Sequence, residues 1–597
     1  MRDVVMVCCR RGHTLEDLLP EINSVLEAFV DPETTTADVW FDWSSSFAMV
    51  HLTPSNGRGE IKMHRVKRQR AFVYTGYVRP EWRDPATIAA KLAQREGRLV
   101  LDESPGGIAA YFLADTNHGQ CFAWSSHAGV QSVFYTVGPR CIAISNRPLL
   151  SHVVGFETTR PTFSVRWAHQ IVIAGSTLWD DTPYEGTRHI EPRSMIVVNA
   201  DGRLEHRPHP VPLQRRSYPD GSKEAIDELA HESLGAASVL RGMPKAELRL
   251  SGGKDSRYVA AVLSRAGADV ESVTYSETHA GEGPLARVVA DHFGIPHRIG
   301  TMPIATPENV LATVYRNLRR SDGLLSENRQ LVFGSLDRSD GQPFIDGQAH
   351  HPRGGYGIVM GDALKVRERM HGHCDGLRKL VVPELADERA RRVDEIIDGW
   401  TLSHPAEAAY WMYSDYRMTR WINGSYLAGS RQRPYVWLCM DERVLSAISQ
   451  ISVYDRSSER AFYAAMIQIA KPGIERIPLY EDQWKFDRAG KDASPFPDGY
   501  EERNTPFVLP QEPGRGRASP ERRLGLVWST FRRLVLETKS GAAVAECVDP
   551  TVRAALLEGG AAHESLGLTH GVLVDFIWRI TAASLVLEGE WLSPQPA

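Results

Sequence analysis

Two periods of hydrophobicity divide this chain. From Asp3 to about Pro210 the apolar residues come in short runs, among them "DVVMVCC", "ADVWFDW", "FAMVHL", "AFVYTGYV", "GIAAYFLAD", "QCFAWSS" and "CIAIS". Gly, Asn, Asp and Pro bound them, which is the pattern of strands and turns. "MIVVNADGRLEHRPH" predicts a hairpin that turns at Asp201-Gly202. After Lys223 the period lengthens. "KEAIDELAHESLGAASVL" reads as helix, and strand-like "ELRLS", "VESVTYS" and "PHRIGTM" then alternate with helix-like "SRYVAAVLSRAG" and "GPLARVVADHFG". Strands spaced by helices of that length predict a parallel sheet with crossover helices. Beyond Asp362 the pattern is mostly helical, and residues 501–523, rich in Pro, Gly and charge, predict a mobile loop.

The change of period sets the expected domains at 1–215 and 216–597, in line with a chain of 597 residues, too long for one ordinary core. Charged residues at 24% and apolar residues at 42% place it among soluble globular proteins. A net charge of −5 offers no basic field, so no nucleic-acid partner is expected. The greasiest segment, Gly571 to Leu592, carries Asp575, Arg579, Glu588 and Glu590; it reads as a buried amphipathic helix, and no membrane partner is expected. "MRDVVMVCCRRG" has neither an apolar h-region nor a cleavage site. Seven cysteines without a C-x-x-C favour free thiols, so the cytoplasm is the expected location.

The densest chemistry lies in Ser251-Gly252-Gly253-Lys254-Asp255-Ser256, between a predicted strand and a predicted helix. Backbone N–H groups at a helix start are unpaired and favour anions. Adjacent glycines let the main chain approach a phosphate, the two serines add hydroxyl donors, and Asp255 suits Mg²⁺ carried by phosphate. The spacing is not that of a Walker A loop. Lys254 reads equally as a solvated loop residue and as a second phosphate contact.

"SGGKDS" resembles the pyrophosphate-binding loop of the ATP pyrophosphatase superfamily, which cleaves ATP between its α and β phosphates. The wider layout is similar to the asparagine synthetase family: a β-rich front, this loop near residue 250 and a helical tail. "TLWDDTPYEGTRHIEPRSMIVVNADGRL" resembles that family's interdomain link. "PYVWLCMDERVLSAISQI" resembles its helix-leading segment with an acid, here Asp441, and "IPLYEDQWKFDRAGKD" its catalytic-lysine segment, here Lys485. The resemblance implies an α/β protein. A β-rich class II amidotransferase-like (αββα) domain would precede a PP-loop parallel-sheet synthetase domain with a large helical C-terminal part. It implies ATP and Mg²⁺, with Leu250, Ser251, Gly252, Gly253, Lys254, Asp255, Ser256, Ser276, Asp346, Gly347 and Arg353 around the nucleotide and Asp255 and Asp346 on the metal. The strand ends at Leu250 and at Val273 to Ser276 would flank adenine. Lys485 would stabilise charge as an amine displaces AMP.

Departures from the family narrow the reaction. Glutamine-hydrolysing members expose an N-terminal cysteine, whereas Met1 here precedes Arg2 and Asp3, and Cys8 and Cys9 fall inside a predicted strand. The front domain is therefore expected to be glutaminase-dead, and the attacking amine to come from the substrate. Two branches of the family fit, one closing β-lactams on small amino acids and one closing the macrolactam of lasso peptides. "GGKDSR" with Lys254 and Arg257, the aromatic and basic run "YRMTRWINGSYLAGSRQRPY" and the long helical tail are more similar to the lasso cyclases. The expected partner is then a precursor peptide, with a leader-binding protein and a leader peptidase. In "FIDGQAHHPRGGYG", His350, His351 and Arg353 stand where the family has acids, so either Asp346 and Asp255 hold the metal or Arg353 supplies its charge. His350 and His351 read equally as surface residues. Glu282 reads as a metal or ribose contact or an ordinary helix-start acid, and Asp322 as an acceptor-side residue or a turn. His371, His373 and Cys374 are too cramped for a metal and read as solvated helix residues. Rival readings are a ligase acting on a small amino acid and a non-catalytic ATP- or peptide-binding homologue.

Overall fold

The computed structural model describes residues 2–30, 35–42, 44, 46–54, 61–95, 97–213, 218–275, 281–301, 305–306, 308–324, 341–348, 353, 363–374, 377–400, 405–507, 520–558 and 566–593. The front part contains strands β1 (Asp3–Cys9), β2 (Thr35–Phe41), β3 (Phe47–Pro54), β4 (His64–Val66), β5 (Arg70–Tyr77), β6 (Ala93–Arg95), β7 (Arg98–Val100), β8 (Ile108–Asp115), β9 (Gln120–Ser125), β10 (Phe134–Val137), β11 (Cys141–Ser145), β12 (Thr187–His189), β13 (Ser194–Asn199) and β14 (Leu204–Pro208). Two six-stranded antiparallel sheets result, ordered β12-β10-β11-β1-β3-β2 and β14-β13-β9-β8-β5-β4. Strand β1 shows why its sequence is apolar throughout: both of its faces are buried. Val4, Met6 and Cys8 fill the space between the sheets with Phe112, Ala123 and Ile196. Val5, Val7 and Cys9 face helices α1 (Leu15–Phe29), α3 (Pro148–Gly155) and α4 (Val165–Ala174) and the C-terminal helix His570–Glu588. Helix α2 (Pro85–Lys91) packs Ile88 and Ala89 on the outer face of the second sheet. The layers run helix, sheet, sheet, helix.

Asp201-Gly202 turns the β13–β14 hairpin as the sequence predicts, with Gly202 at φ +75°. Cys8 and Cys9 are core residues, and burial pushes the Cys9 thiol up to about 12, which keeps its proton on and its sulfur a poor nucleophile. The greasy C-terminal segment is a helix packed in the core, and among the described residues no helix is long and apolar enough to cross a membrane.

After helix α5 (Lys223–Ala236) the strand–helix alternation appears in the predicted order: β15 (Ala246–Arg249), α6 (Lys254–Arg265), β16 (Val270–Tyr275), α7 (Gly283–Phe293), β17 (His297–Gly300) and α8 (Val310–Ser321). With β18 (Phe344–Ile345) and β19 (Tyr435–Val436) they form a five-stranded parallel sheet, ordered β17-β16-β15-β18-β19. The expected mobile loop falls partly on described residues: 501–504 and 520–523 are helical, while 508–519 lie outside the described residues.

Buried ion pairs join the two parts. Asp322 is fully buried at φ +50°, where it accepts bonds from Arg147 of the front part at 2.7 and 2.9 Å and from Arg431 at 3.2 Å. It closes the turn after α8, as the turn reading has it, and ties that turn to the front part. Asp441 caps the helix Glu442–Gln450 and takes Arg79 at 2.9 and 3.1 Å and the Gly107 amide at 2.6 Å. The aromatic and basic run at 416–435 is largely internal wiring: Arg420 donates to the Trp179 and Ile190 carbonyls, Arg433 pairs with Glu247, and Tyr426 is buried. His371 lies on Asp394 at 3.1 Å; the side chains of His373 and Cys374 lie outside the described residues.

Asp322 is the buried carboxylate on which Arg147 and Arg431 converge, and removing its charge leaves Arg147 only its longer pair with Asp3. Asp322→Asn is expected to lower unfolding stability by about 3–5 kcal/mol in denaturant titration. Cys8→Ser and Cys9→Ser each bury a hydroxyl in the core, at a cost of about 1–3 kcal/mol by the same measurement.

Candidate functional site

Strand β15 delivers the chain to the carboxyl edge of the parallel sheet, where open α/β sheets place their ligands. Leu250 is still tied to the sheet, its N–H donating to the Val273 carbonyl at 2.9 Å. The loop beyond it is braced internally. Ser251 N–H donates to Ser256 Oγ at 3.0 Å, the two serine hydroxyls lie 3.1 Å apart, and Gly253 N–H donates to Ser251 Oγ at 3.1 Å. Gly252 N–H donates to the Glu282 carboxylate at 2.9 Å. A carboxylate thus already sits on a loop amide, which makes the Glu282 contact one to the loop itself.

The glycines have distinct reasons. A Cβ at Gly252 would lie 2.7 Å from Tyr480 Cβ, and one at Gly347 2.7 Å from Ser256 Cα. Gly347 brings the end of β18 against the start of α6, and Gly252 lets the segment around Tyr480 close onto the loop. At Gly253, the N-cap of α6, a Cβ would meet only Ser251 Oγ, at 3.3 Å. That glycine leaves the helix start open to an anion.

The loop also grips the segment that carries Lys485. Gly252 O accepts from Tyr480 N–H at 3.3 Å, and Arg257 donates to the Ile477 and Pro478 carbonyls at 2.7 and 2.6 Å. Lys254 is buried, which overturns its solvated reading. Its ammonium reaches Glu459 at 2.9 Å, Asp482 at 2.9 Å and the Gln483 carbonyl at 2.8 Å, with the Trp484 ring 5.3 Å away. Arg353 bridges Glu459 at 2.9 Å and Asp255 at 2.7 Å. Lys485 Nζ lies 3.7 Å from Glu459 and donates to the Ser457 carbonyl at 3.2 Å, and its backbone N–H donates to Glu459 at 3.1 Å. Lys485 is therefore not a surface lysine; its side chain is 12% exposed.

Charge follows from this geometry. Burial pushes the Glu459 carboxyl up, but Arg353, Lys254 and Lys485 overcome it and hold it at about 2. Burial lowers Lys485, Glu459 opposes, and Arg353 and Lys254 reinforce the fall, which leaves its ammonium titrating at about 8. Asp346, at the end of β18, accepts from Tyr435 OH at 3.1 Å and from Gly347 N–H at 2.8 Å, with Arg249 at 3.8 Å. Ser276, His350 and His351 lie outside the described residues. Glu459 and Asp482 were not singled out by the sequence. Glu459 sits at φ +68° within "DRSSERAF", where no glycine or turn signal marks it.

No protein-family model and no curated protein sequence matches the chain. Among solved structures it is similar to a glutamine phosphoribosylpyrophosphate amidotransferase from B. subtilis, complexed with ADP and GMP. That match has 11% identity and a TM-score of 0.23, covering 65% of this chain and 79% of that one. Another, described as the allosteric regulatory enzyme of purine biosynthesis, matches at 11% identity and a TM-score of 0.22, over 61% and 76% of the two chains. Likeness this distant carries no argument. The geometry carries it instead.

Removing the Glu459 charge removes the carboxylate that favours the Lys485 ammonium. Glu459→Gln is expected to move the Lys485 titration below about 8, read by NMR of isotopically labelled lysine. It also lowers stability by about 3–5 kcal/mol, since three cations lose a buried partner.

Proposed function

We infer that the protein is an ATP-dependent amide-forming ligase. It transfers AMP to a substrate carboxylate with release of pyrophosphate, and an amine of the same substrate then displaces AMP, closing a ring. The substrate in this reading is a precursor peptide and the product the macrolactam of a lasso peptide. The observation that carries the reading is the joining of the Ser251–Ser256 loop to the Lys485 segment through Lys254, Arg257 and Gly252. An anion-binding loop and an ammonium of lowered pKa then form one rigid unit.

The donor set fits the groups this reaction needs. Hydroxyls of Ser251 and Ser256, the open start of α6 at Gly253 and the Arg353 guanidinium suit a pyrophosphate. Asp255 and Asp346, hard oxygen donors near the ends of neighbouring strands, would hold Mg²⁺, which neutralises phosphate charge. Arg353, already on Asp255 at 2.7 Å, supports the reading in which arginine supplies part of that charge. The protein's own residues do the rest. Loop donors orient the phosphates, and Lys485 meets the negative charge that develops as the amine attacks and AMP leaves. Holding amine and acyl group in one cavity supplies proximity. The buried state of Arg420, Tyr426 and Arg433 favours a second reading, in which the substrate is a small amino acid, because those side chains are spent on packing.

ATP–pyrophosphate exchange and loss of one water from a peptide substrate separate the two half-reactions. Asp255→Ala is expected to abolish AMP formation while the fold survives, and wild-type turnover in that variant overturns its assignment. Lys485→Ala should keep exchange but lose product by roughly 10²–10³-fold, the usual size for one such donor; loss of both together would place Lys485 on ATP or on folding. The form of Lys485 that acts is the ammonium, so the closure step should fall as pH rises through about 8. In Lys485→Arg, which stays charged, that fall should vanish at a lower absolute rate.

A further inference from the structure

The region where the front part meets the helical part holds a second cluster, unconnected with the loop. His127 follows β9, His209 follows β14, and Glu442 opens the helix Glu442–Gln450. Their side chains are 4%, 5% and 1% exposed. One ligand-type atom from each lies within 4.8 Å of the others, and Glu442 Oε1 stands 3.8 Å from Nε2 of both histidines. Both ring nitrogens of His127 are buried without a hydrogen-bond partner. An orphaned imidazole beside a buried carboxylate needs an explanation.

Glu442 makes the need sharper. Its carboxylate accepts from Ser104 Oγ at 2.6 Å and from the His127 backbone N–H at 3.1 Å, and among the described residues no lysine or arginine pairs with it. A carboxylate buried this fully is stabilised by a cation placed beside it. His209 Nδ1 lies 2.8 Å from the Val211 carbonyl, the contact that a metal-binding histidine makes with its second nitrogen. Val211 N–H also lies 3.1 Å from Nδ1, and the Ser125 carbonyl lies 2.8 Å from His209 Nε2, a contact that an ion on Nε2 would displace. Around a tetrahedral zinc the ligand atoms stand about 3.3 Å apart, given bonds of about 2.0–2.1 Å. A cavity of about 10 Å³ touches both histidines, room for about one water as a fourth ligand. Arg193 and Arg420 also line it and are engaged, Arg193 with Asp415 and Arg420 with backbone carbonyls.

We propose that His127, His209 and Glu442 bind a borderline divalent cation, with zinc the best match, as a structural staple between the front part and the helical part. Nitrogen ligands and a tetrahedral span separate this site from the oxygen donors of the loop, which suit Mg²⁺. The full-length protein, stripped with chelator and given one equivalent of Co²⁺, should develop visible absorption of a four-coordinate site. Reloaded with Zn²⁺ and gel-filtered, it should retain about one zinc per chain and melt at a higher temperature, whereas Mg²⁺ should do neither. His127→Ala and Glu442→Gln should abolish uptake. A wild-type protein that keeps no zinc, or a folded His127→Ala protein that keeps it fully, overturns the proposal. Should the variants not fold, anomalous scattering from zinc-soaked wild-type crystals decides, and an ion found only elsewhere refutes the site.

Discussion

One buried carboxylate organises the candidate site. Glu459 is withdrawn from water, and that cost is met only because Arg353, Lys254 and Lys485 converge on its two oxygens from separate parts of the chain. Its backbone sits at φ +68°, a conformation that costs a non-glycine residue about 1–3 kcal/mol and persists only where the surroundings over-determine it. Here they do. The same carboxylate fixes the Lys254 side chain, the Arg353 bridge to Asp255 and the backbone of Lys485.

A loop and a lysine some 230 positions apart in sequence thereby become a single rigid unit. Lys254 and Arg257, which open α6, point away from the loop mouth and into the Lys485 segment, while Gly252 removes the side chain that would hold the two apart. The mouth is left to Ser251, Gly253, Asp255 and Ser256. This division of labour keeps the ammonium both desolvated and oriented, conditions under which an electrostatic donor is worth most.

The front part is held to this unit by ion pairs away from solvent. Arg147 with Asp322 and Arg79 with Asp441 each span the two parts, and breaking either weakens the compensation of a charge in a low-dielectric interior. Arg420, Tyr426 and Arg433 belong to the same framework, so these members of the aromatic and basic run are spent on packing.

The alternation of strand and helix after Lys223, the doubly buried β1 and the hairpin at Asp201-Gly202 were legible in the sequence, because each follows from local periodicity and turn chemistry. So was the loop, since two glycines and two serines between strand and helix are a local pattern. What the sequence could not show was where the long charged side chains point. Lys254 read as solvated or phosphate-bound and is buried on Glu459; Asp322 is the turn residue the sequence allowed, and its carboxylate is also a latch. Glu459, His127, His209 and Glu442 carried no local signal at all. Pairing of buried charges joins residues hundreds of positions apart, and a flexible side chain several bonds long can reach any of several partners. Only the packed tertiary structure, by excluding water, selects which one.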